Sequence, residues 1–132
     1  MSTNPLLNRW LAYMEGDRAP DDLRALLAEN ATFHSPVVHT PQEGREKTFA
    51  YLHAADSVFA DSRFEYVRQM VDGDNALLEF TAEIDGIHVN GVDIIHWDAE
   101  GLIDDFKVMV RPMKAMNKLW EMMAAQLEKQ TA

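Results

Sequence analysis

The chain has 132 residues, with 12 basic and 22 acidic side chains, a net charge of −10 and no cysteine. This length fits one domain with a single hydrophobic core. The charge disfavours nucleic acid and anionic membrane surfaces as partners, and the lack of cysteine excludes disulfides, thiolate metal sites and a thiol nucleophile. No stretch approaches the roughly 20 apolar residues of a membrane-spanning helix. We therefore expect a soluble cytoplasmic protein with one domain over residues 1–132.

Two helical patterns begin the chain. Apolar residues spaced by three and four predict a helix over about residues 5–15, which ends at Gly16. Pro20 and the two aspartates after it predict the start of a second helix, because proline fits the first helical position and acidic side chains complement the helix dipole. Three leucines continue the buried stripe of this helix to about Glu29.

A strand, a loop and a long helix come next. Residues 31–35 predict a short strand that ends at Pro36, and residues 37–43 predict an irregular loop. Gly44 begins a helix that runs to about residue 60 and has one apolar face.

Residues 76–111 carry the strongest strand pattern in the sequence. Apolar and polar side chains alternate along its first strand, which is typical of a strand with one buried face. Asp85, Gly86 and residues 98–101 have the composition of tight turns, so the stretch predicts three consecutive antiparallel strands. A strand over residues 63–71 precedes them and completes a four-stranded meander.

A final helix follows Pro112, which can occupy its first position. Its apolar residues are spaced by three and four and form one seam. They are Met113, Met116, Trp120, Met123 and Leu127. The pattern leaves three roles open for this helix: packing on its own sheet, capping a pocket, or contacting a second subunit.

Three segments match a known family in their order and spacing. They are Ala-Thr-Phe-His-Ser-Pro at residues 31–36, Glu-Gly-Arg-Glu at residues 43–46, and Gly-Val-Asp-Ile-Ile-His-Trp-Asp-x-x-Gly at residues 91–101. The chain thereby resembles the nuclear transport factor 2-like fold, also called SnoaL-like. The resemblance implies an α+β, cone-shaped single domain. A strongly curved antiparallel or mixed sheet would wrap around the N-terminal helices, with an extra C-terminal helix.

Within that superfamily the layout resembles ketosteroid isomerase. Asp93 occupies a position similar to the hydrogen-bonding aspartic acid of that enzyme, whose apolar site keeps the acid neutral. Ser35 stands where the isomerase carries its catalytic aspartate. Trp10 lies nearest the position of the tyrosine on the first helix, with Tyr13 one turn further on. The Asp-Arg-Asp set of the epoxide-hydrolase branch is not evident in the sequence.

The residues themselves also make Asp93 the leading candidate for a functional group. It lies within the apolar run of residues 92–95 and shares strand parity with Trp97, so its carboxyl group points to the more apolar face of the sheet. Burial raises the pKa of a carboxyl group, and a neutral aspartic acid can donate a hydrogen bond to a substrate carbonyl or enolate. Alternatively, Trp10 or Tyr13 satisfies the carboxylate and so holds the first helix to the sheet.

His34 is the candidate base beside Asp93, because an imidazole titrates near neutral pH. Strand alternation turns His34 away from a cavity that Phe33 and Ser35 face, unless the strand bulges before Pro36. Ser35 is then a polar contact of the pocket. The sequence around Ser35 lacks the motif of an activated nucleophile.

We predict a pocket between the sheet and the third helix. Its predicted lining residues are Trp10, Tyr13, Phe33, Ser35, Tyr51, Phe59, Trp97, Phe106 and Val108. Apolar side chains at these spacings also fit a filled core, so both alternatives stay open. On the opposite strand parity, His88, Asn90 and His96 match no standard set of metal ligands. We predict neither a metal nor a cofactor.

The other face of the sheet carries a mixture of apolar and charged side chains. They are predicted to be Val92, Ile94, Ile103 and Met109, with Glu79, Lys107 and Arg111. Such a face suits packing on a second copy of the chain, as in related proteins, so we predict a homodimer.

Two functions fit these observations. The first is a pocket for a small, mostly apolar molecule, with an acid–base isomerase, cyclase or hydrolase activity that uses Asp93 and His34. The alternative is a non-catalytic ligand-binding or assembly module, because one scaffold can carry unrelated functions.

Overall fold

A computed structural model of the chain describes residues 4–131. The helices are α1 (Pro5–Glu15), α2 (Pro20–Leu26), α3 (Arg45–Phe59) and α4 (Met113–Thr131). The strands are β1 (Leu27–His34), β2 (Gln42–Glu43), β3 (Glu65–Asp72), β4 (Asn75–Ile84), β5 (Ile87–Trp97) and β6 (Ile103–Arg111).

The strands form one open, mixed sheet in the order β2-β1-β6-β5-β4-β3. Neighbouring strands are antiparallel, except that β1 runs parallel to β6. The helices pack against one face of this sheet. The arrangement confirms the α+β class, the cone-shaped architecture and the additional C-terminal helix that the sequence predicts.

The alternation of β5 decides which side chains face the helices. Its odd-numbered residues from Val89 to Trp97 are buried, whereas the intervening residues are partly exposed. Asp93 belongs to the buried set and lies opposite Leu78 of β4. The alternation of the strand therefore buries the Asp93 side chain on the same face as its apolar neighbours.

Gly91 allows one aromatic ring to lie directly against β5. A Cβ atom at this position would lie 2.5 Å from Cζ of Phe80 and 2.7 Å from the backbone oxygen of Met109. Any side chain larger than hydrogen would therefore displace the Phe80 ring. This ring is buried and stacks on Phe64, with ring centroids 4.9 Å apart.

The N-terminus of α1 is well capped. The Asn4 side chain accepts hydrogen bonds from the backbone N–H groups of Leu6 and Leu7, which satisfies two donors of the first turn. The buried face of α1 includes Trp10 and Tyr13. Because these residues are three apart, their side chains lie one above the other against the sheet.

The predicted extent of the second helix is wrong. The helix ends at Leu26, and β1 begins at Leu27, where the sequence predicts helix to about Glu29. Leu27 pairs with Ile103 of β6 and is 1% exposed, so sheet pairing and burial determine its conformation.

Two further expectations need correction in the sheet. The predicted loop before α3 contains the short strand β2, which pairs with Thr32 and Phe33 of β1. Ile103 was expected on the outer face, but it is fully buried. The register of β5 and β6 shifts between His96 and Trp97, so Ile103 lies opposite Trp97 and turns inward.

The C-terminal helix is present, but its buried face differs from the predicted seam. Ala115 and Leu119 are buried against β-sheet residues and α3, whereas Met113 and Trp120 are 77% and 52% exposed. The helix therefore packs on its own domain through Ala115 and Leu119, with Met123 of the predicted seam partly buried beside them. Among the described residues, no helix has the length and apolar character needed to span a membrane.

Candidate functional site

A cavity lies between the concave face of the sheet and helices α1, α3 and α4. Its volume is about 70 Å³, several times the roughly 10–15 Å³ that one water molecule needs. Most of the wall is apolar and includes Trp10, Phe33, Phe59, Phe64, Phe80 and Phe106. The polar lining side chains are those of Arg18, Ser35, Asp56 and Asp93. A cavity of this kind favours a small apolar ligand with few polar groups.

Asp93 is the most deeply buried acid of the cavity, with 6% of its surface exposed. The Tyr66 hydroxyl donates a hydrogen bond of 2.6 Å to its Oδ2, and Nε1 of Trp10 donates to the Tyr66 oxygen at 3.1 Å. Burial raises the pKa of Asp93 to about 7, although the hydrogen bond from Tyr66 acts in the opposite direction. Near neutral pH this carboxyl group can therefore both donate and accept a proton.

Tyr66 is the residue of this network that sequence reasoning missed. The alternative interpretation of the sequence is that Trp10 or Tyr13 is the hydrogen-bond partner of Asp93. In the structure, Tyr66 lies between Trp10 and the carboxyl group and binds both. Tyr66 lies on β3, two strands from Asp93, and burial raises the pKa of its hydroxyl well above the usual value. The sequence signal that could have found Tyr66 is a tyrosine within a predicted strand, because the hydroxyl group of a buried tyrosine usually forms a hydrogen bond.

Asp56 of α3 is a second acid on the cavity wall. The Tyr13 hydroxyl donates a 2.5 Å hydrogen bond to its Oδ2, and Nη1 of Arg18 lies 3.6 Å from its Oδ1. Burial raises the pKa of Asp56, while the hydrogen bond from Tyr13 and the charge of Arg18 oppose this effect. The Nε group of Arg18 donates to the backbone oxygen of Met14 at 3.0 Å.

The sequence holds a signal for Asp56 as well. Leu52, Asp56 and Phe59 are spaced by four and three, so they share one face of α3, and all three line the cavity. An acid on the apolar face of a helix is as unusual as an acid in an apolar strand. The pairing with Arg18 could not be predicted, because it depends on where the turn between α1 and α2 lies.

Six of the nine predicted pocket residues line the cavity. They are Trp10, Phe33, Ser35, Phe59, Phe106 and Val108. The other three lie nearby in different roles. Tyr13 binds Asp56, the Tyr51 ring packs beside Phe33 with centroids 5.4 Å apart, and Trp97 is buried in the core.

His34 is not at the cavity, and its expected role as the base beside Asp93 needs correction. From Ala31 to its end, strand β1 alternates between buried and partly exposed residues, so Phe33 points inward and His34 points to the outer face of the sheet. There Nε2 of His34 lies 2.8 Å from Oδ1 of Asp105 on β6. The structure therefore separates the two predicted catalytic residues by the thickness of the sheet.

Two of the three side chains considered for metal binding have other partners. Asn90 donates to Glu79, and His96 lies 2.5 Å from Asp104 through Nδ1 and 3.2 Å from Asp74 through Nε2. Among residues 4–131, no group of three or more His, Cys, Asp or Glu side chains is arranged to hold a metal ion.

An α+β cone with a narrow apolar cavity and a buried acid defines the structural class, and comparison with known proteins gives the family. Residues 7–106 match the SnoaL-like domain family. The chain belongs to this SnoaL-like family within the nuclear transport factor 2-like superfamily.

Two solved structures are similar to the chain in both fold and sequence. A steroid delta-isomerase from Pseudomonas aeruginosa is 34% identical with a TM-score of 0.88, over 96% of this chain and 91% of that chain. An uncharacterized protein with a cystatin-like fold from Silicibacter pomeroyi is 32% identical with a TM-score of 0.84, over 94% of this chain and 86% of that one.

A more distant structure shares the fold alone. A putative SnoaL-like polyketide cyclase from Jannaschia is 14% identical with a TM-score of 0.70, over 89% of this chain and 95% of that one. A comparison with curated proteins gave no match.

Proposed function

We propose that the protein binds a small, mostly apolar carbonyl compound in its cavity and that Asp93 catalyses proton transfer on it, as in an isomerase or cyclase. The observation that carries the proposal is a carboxyl group with a pKa of about 7, buried in the wall of an apolar cavity. A perturbed pKa in a cavity favours a functional site. The 34% identity to a protein described as a steroid delta-isomerase supports the same class of reaction.

The hydrogen bonds of Asp93 support a role as donor. Tyr66 donates a hydrogen bond to Oδ2 of Asp93. Among the described residues, Oδ1 has no hydrogen-bond partner. Protonated Asp93 would donate a hydrogen bond to a ligand carbonyl oxygen. Transfer of this proton to the oxygen leaves Asp93 as a carboxylate, which then accepts a proton from the carbon beside the carbonyl, so the ketone becomes its enol and the acid is restored.

The cavity must widen for a ligand of several rings. Its volume of about 70 Å³ is far below the roughly 300–1,000 Å³ of typical ligand pockets. Part of the wall consists of Met14 on α1 and of Leu119 and Met123 on α4. Because methionine side chains are unbranched and flexible, this wall can adapt to a ligand with little movement of the backbone.

Thermal-shift measurements with a panel of apolar ketones would test the proposal. At least one ketone should raise the melting temperature of the wild-type protein, and Asp93→Asn should reduce that shift. Asp72→Asn is a matched control, because Asp72 is exposed at the end of β3 and does not line the cavity. Shifts that are absent, or equal in all three proteins, would contradict the proposal.

We also propose that the outer face of the sheet binds a second copy of the chain. Cross-strand neighbours on this face form an apolar row of Met70, Leu77 and Ile94, with Val92 and Met109 beside it. Met70 and Met109 are each 52% exposed. A partly exposed apolar stripe bordered by charges suits a two-fold interface, in which the same patch meets itself.

A further inference from the structure

A second polar group at the cavity is not used by the proposed chemistry of Asp93. It consists of Arg18, Asp56 and Tyr13, of which Arg18 and Asp56 line the cavity. The side chains of Arg18 and Asp56 are 25% and 19% exposed. The group therefore lies at the border between the apolar interior and solvent.

Arg18 and Asp56 form an ion pair without a direct hydrogen bond between them. The distance of 3.6 Å between Nη1 of Arg18 and Oδ1 of Asp56 exceeds that of a direct hydrogen bond. Nε of Arg18 already donates a hydrogen bond to the backbone oxygen of Met14, and Oδ2 of Asp56 already accepts one from Tyr13. A donor on Nη1 and an acceptor on Oδ1 thus remain side by side at the cavity wall.

A hydroxyl group is the chemical complement of this arrangement. Its oxygen can accept a hydrogen bond from Arg18 while its proton is donated to Asp56, and each bond involves a charged protein group. A ligand carboxylate would be repelled by Asp56, and a ligand ammonium group would be repelled by Arg18. The pair therefore favours a neutral group that is both donor and acceptor.

Hydrogen bonds connect both polar groups of the cavity to the same face of α1. Trp10 contacts Asp93 through Tyr66, and Tyr13 contacts Asp56 directly. Trp10 and Tyr13 are three residues apart, which is roughly 4.5 Å along a helix axis, and their ring centroids are 5.4 Å apart. Asp93, Arg18 and Asp56 also line the same cavity, so one small molecule inside it can present a polar atom to each group.

We propose that Arg18 and Asp56 form a subsite for a neutral hydroxyl group, so that the ligand is an apolar ketone with a hydroxyl group at the end opposite its carbonyl. This inference rests on the proposed function, because it places the carbonyl oxygen at Asp93. It adds a specificity-determining pair and the substrate class of hydroxyketones.

Three bicyclic ketones of the same skeleton test the subsite by calorimetry at about pH 6. They are 1-tetralone, 6-hydroxy-1-tetralone and 6-carboxy-1-tetralone, which differ only at the end opposite the carbonyl group. The hydroxyl compound should bind at least about tenfold tighter than 1-tetralone, because it adds hydrogen bonds to charged groups. The carboxylate should bind no tighter than 1-tetralone.

Arg18→Met links this preference to the subsite. The variant keeps an unbranched side chain but removes the donors, so the affinity ratio of 6-hydroxy-1-tetralone to 1-tetralone should fall to about one. Arg24→Met is the matched control, since Arg24 also pairs with carboxylates but does not line the cavity. The ratio compares two ligands on one protein, so a general change in stability does not alter it. Should Arg18→Met fail to fold, the order of the three ligands on wild-type protein decides the question.

The outcomes separate the two proposals. Equal binding of the hydroxyl compound and 1-tetralone, with both weakened by Asp93→Asn, would overturn the subsite and leave the function of Asp93 intact. Tightest binding of the carboxylate would overturn the subsite in favour of an anion site at Arg18. Absence of binding by all three compounds would overturn both proposals for this class of ketone.

Discussion

Asp93 and Asp56 each accept a hydrogen bond from a tyrosine, yet their surroundings suit them to different tasks. Asp56 faces the guanidinium of Arg18, which favours its charged form, whereas Tyr66 is the side chain that contacts the Asp93 carboxyl group. Burial raises the pKa of both carboxyl groups, but the charge of Arg18 opposes it only at Asp56, and the pKa of Asp93 reaches about 7. An acid in this state suits proton transfer, and a paired carboxylate suits recognition.

Asp93 should make stability depend on pH in a defined direction. Its pKa rises from 3.8 to about 7 on folding, so the folded protein holds this proton more tightly than the unfolded chain. The contribution is fully present below about pH 4 and is lost as the pH rises to about 7. At about 1.4 kcal/mol per pKa unit, the loss approaches roughly 4 kcal/mol.

Asp93→Asn removes this titration, since an amide does not ionise. The difference in the free energy of unfolding between variant and wild type should shift in favour of the variant from about pH 4 to about pH 7, and then stay constant. Urea unfolding across this range measures the difference, with Asp72→Asn as the exposed control. A difference that does not change with pH would show that Asp93 titrates alike in both states.

The direction of Asp93 was predictable, whereas its partners were not. Strand alternation is a local property, so the apolar neighbours of Asp93 suffice to place its carboxyl group on the buried face. Tyr66 reaches Asp93, and Asp56 reaches the cavity, through the packing of β3 and α3, which depends on contacts between distant parts of the chain. His34 shows the same limit, because alternation predicted its outward direction but not its pairing with Asp105.

At the scale of the strand, Gly91 shapes the cavity through Phe80. Gly91→Ala should destabilise the protein by about 1–3 kcal/mol, because the added methyl group overlaps the Phe80 ring and the backbone of Met109. Urea unfolding measures this loss. Since Phe80 lines the cavity, the same variant should also weaken ligand-induced thermal shifts.

Gly16→Ala is the control for this prediction. A Cβ atom at Gly16 would lie 3.3 Å from the nearest atom, the backbone oxygen of Ala12, and the φ angle of −87° is accessible to alanine. Its effect should stay below about 1 kcal/mol. Equal stability of the two variants would mean that the Phe80 ring moves freely away from β5.

The elements that sequence patterns placed wrongly are those whose bounds depend on sheet pairing. Leu27 fits the buried stripe of a helix as well as a strand, and its pairing with Ile103 decides in favour of the strand. The inward turn of Ile103 depends on an irregularity beside Trp97 that regular alternation does not reveal. The helices and the meander were predictable because their periodicity is internal to each segment.

At the scale of the whole molecule, the proposed dimer makes the outer face testable. Met109→Glu places a charge on the apolar stripe at a side chain that is 52% exposed, so the fold should persist while self-association weakens. Trp120→Glu, at an equally exposed position on α4, is the control. Sedimentation should show a dimer for wild type and Trp120→Glu, and a monomer for Met109→Glu.

Loss of the dimer in Trp120→Glu alone would assign self-association to α4. A wild-type monomer at micromolar concentrations would exclude the interface on both surfaces.

The parallel pairing of β1 with β6 joins the first third of the chain to its last strand, with Leu27 opposite Ile103 and His34 opposite Lys107. On the ribosome, β1 must therefore wait for about seventy further residues before its partner has been synthesised. The meander from β3 to β6 pairs neighbours in sequence and can assemble first, because short loops close at lower entropic cost. Until β6 emerges, one hydrogen-bonding edge of β1 lacks its partner strand, which makes this interval the stage at which chaperone contact is most useful.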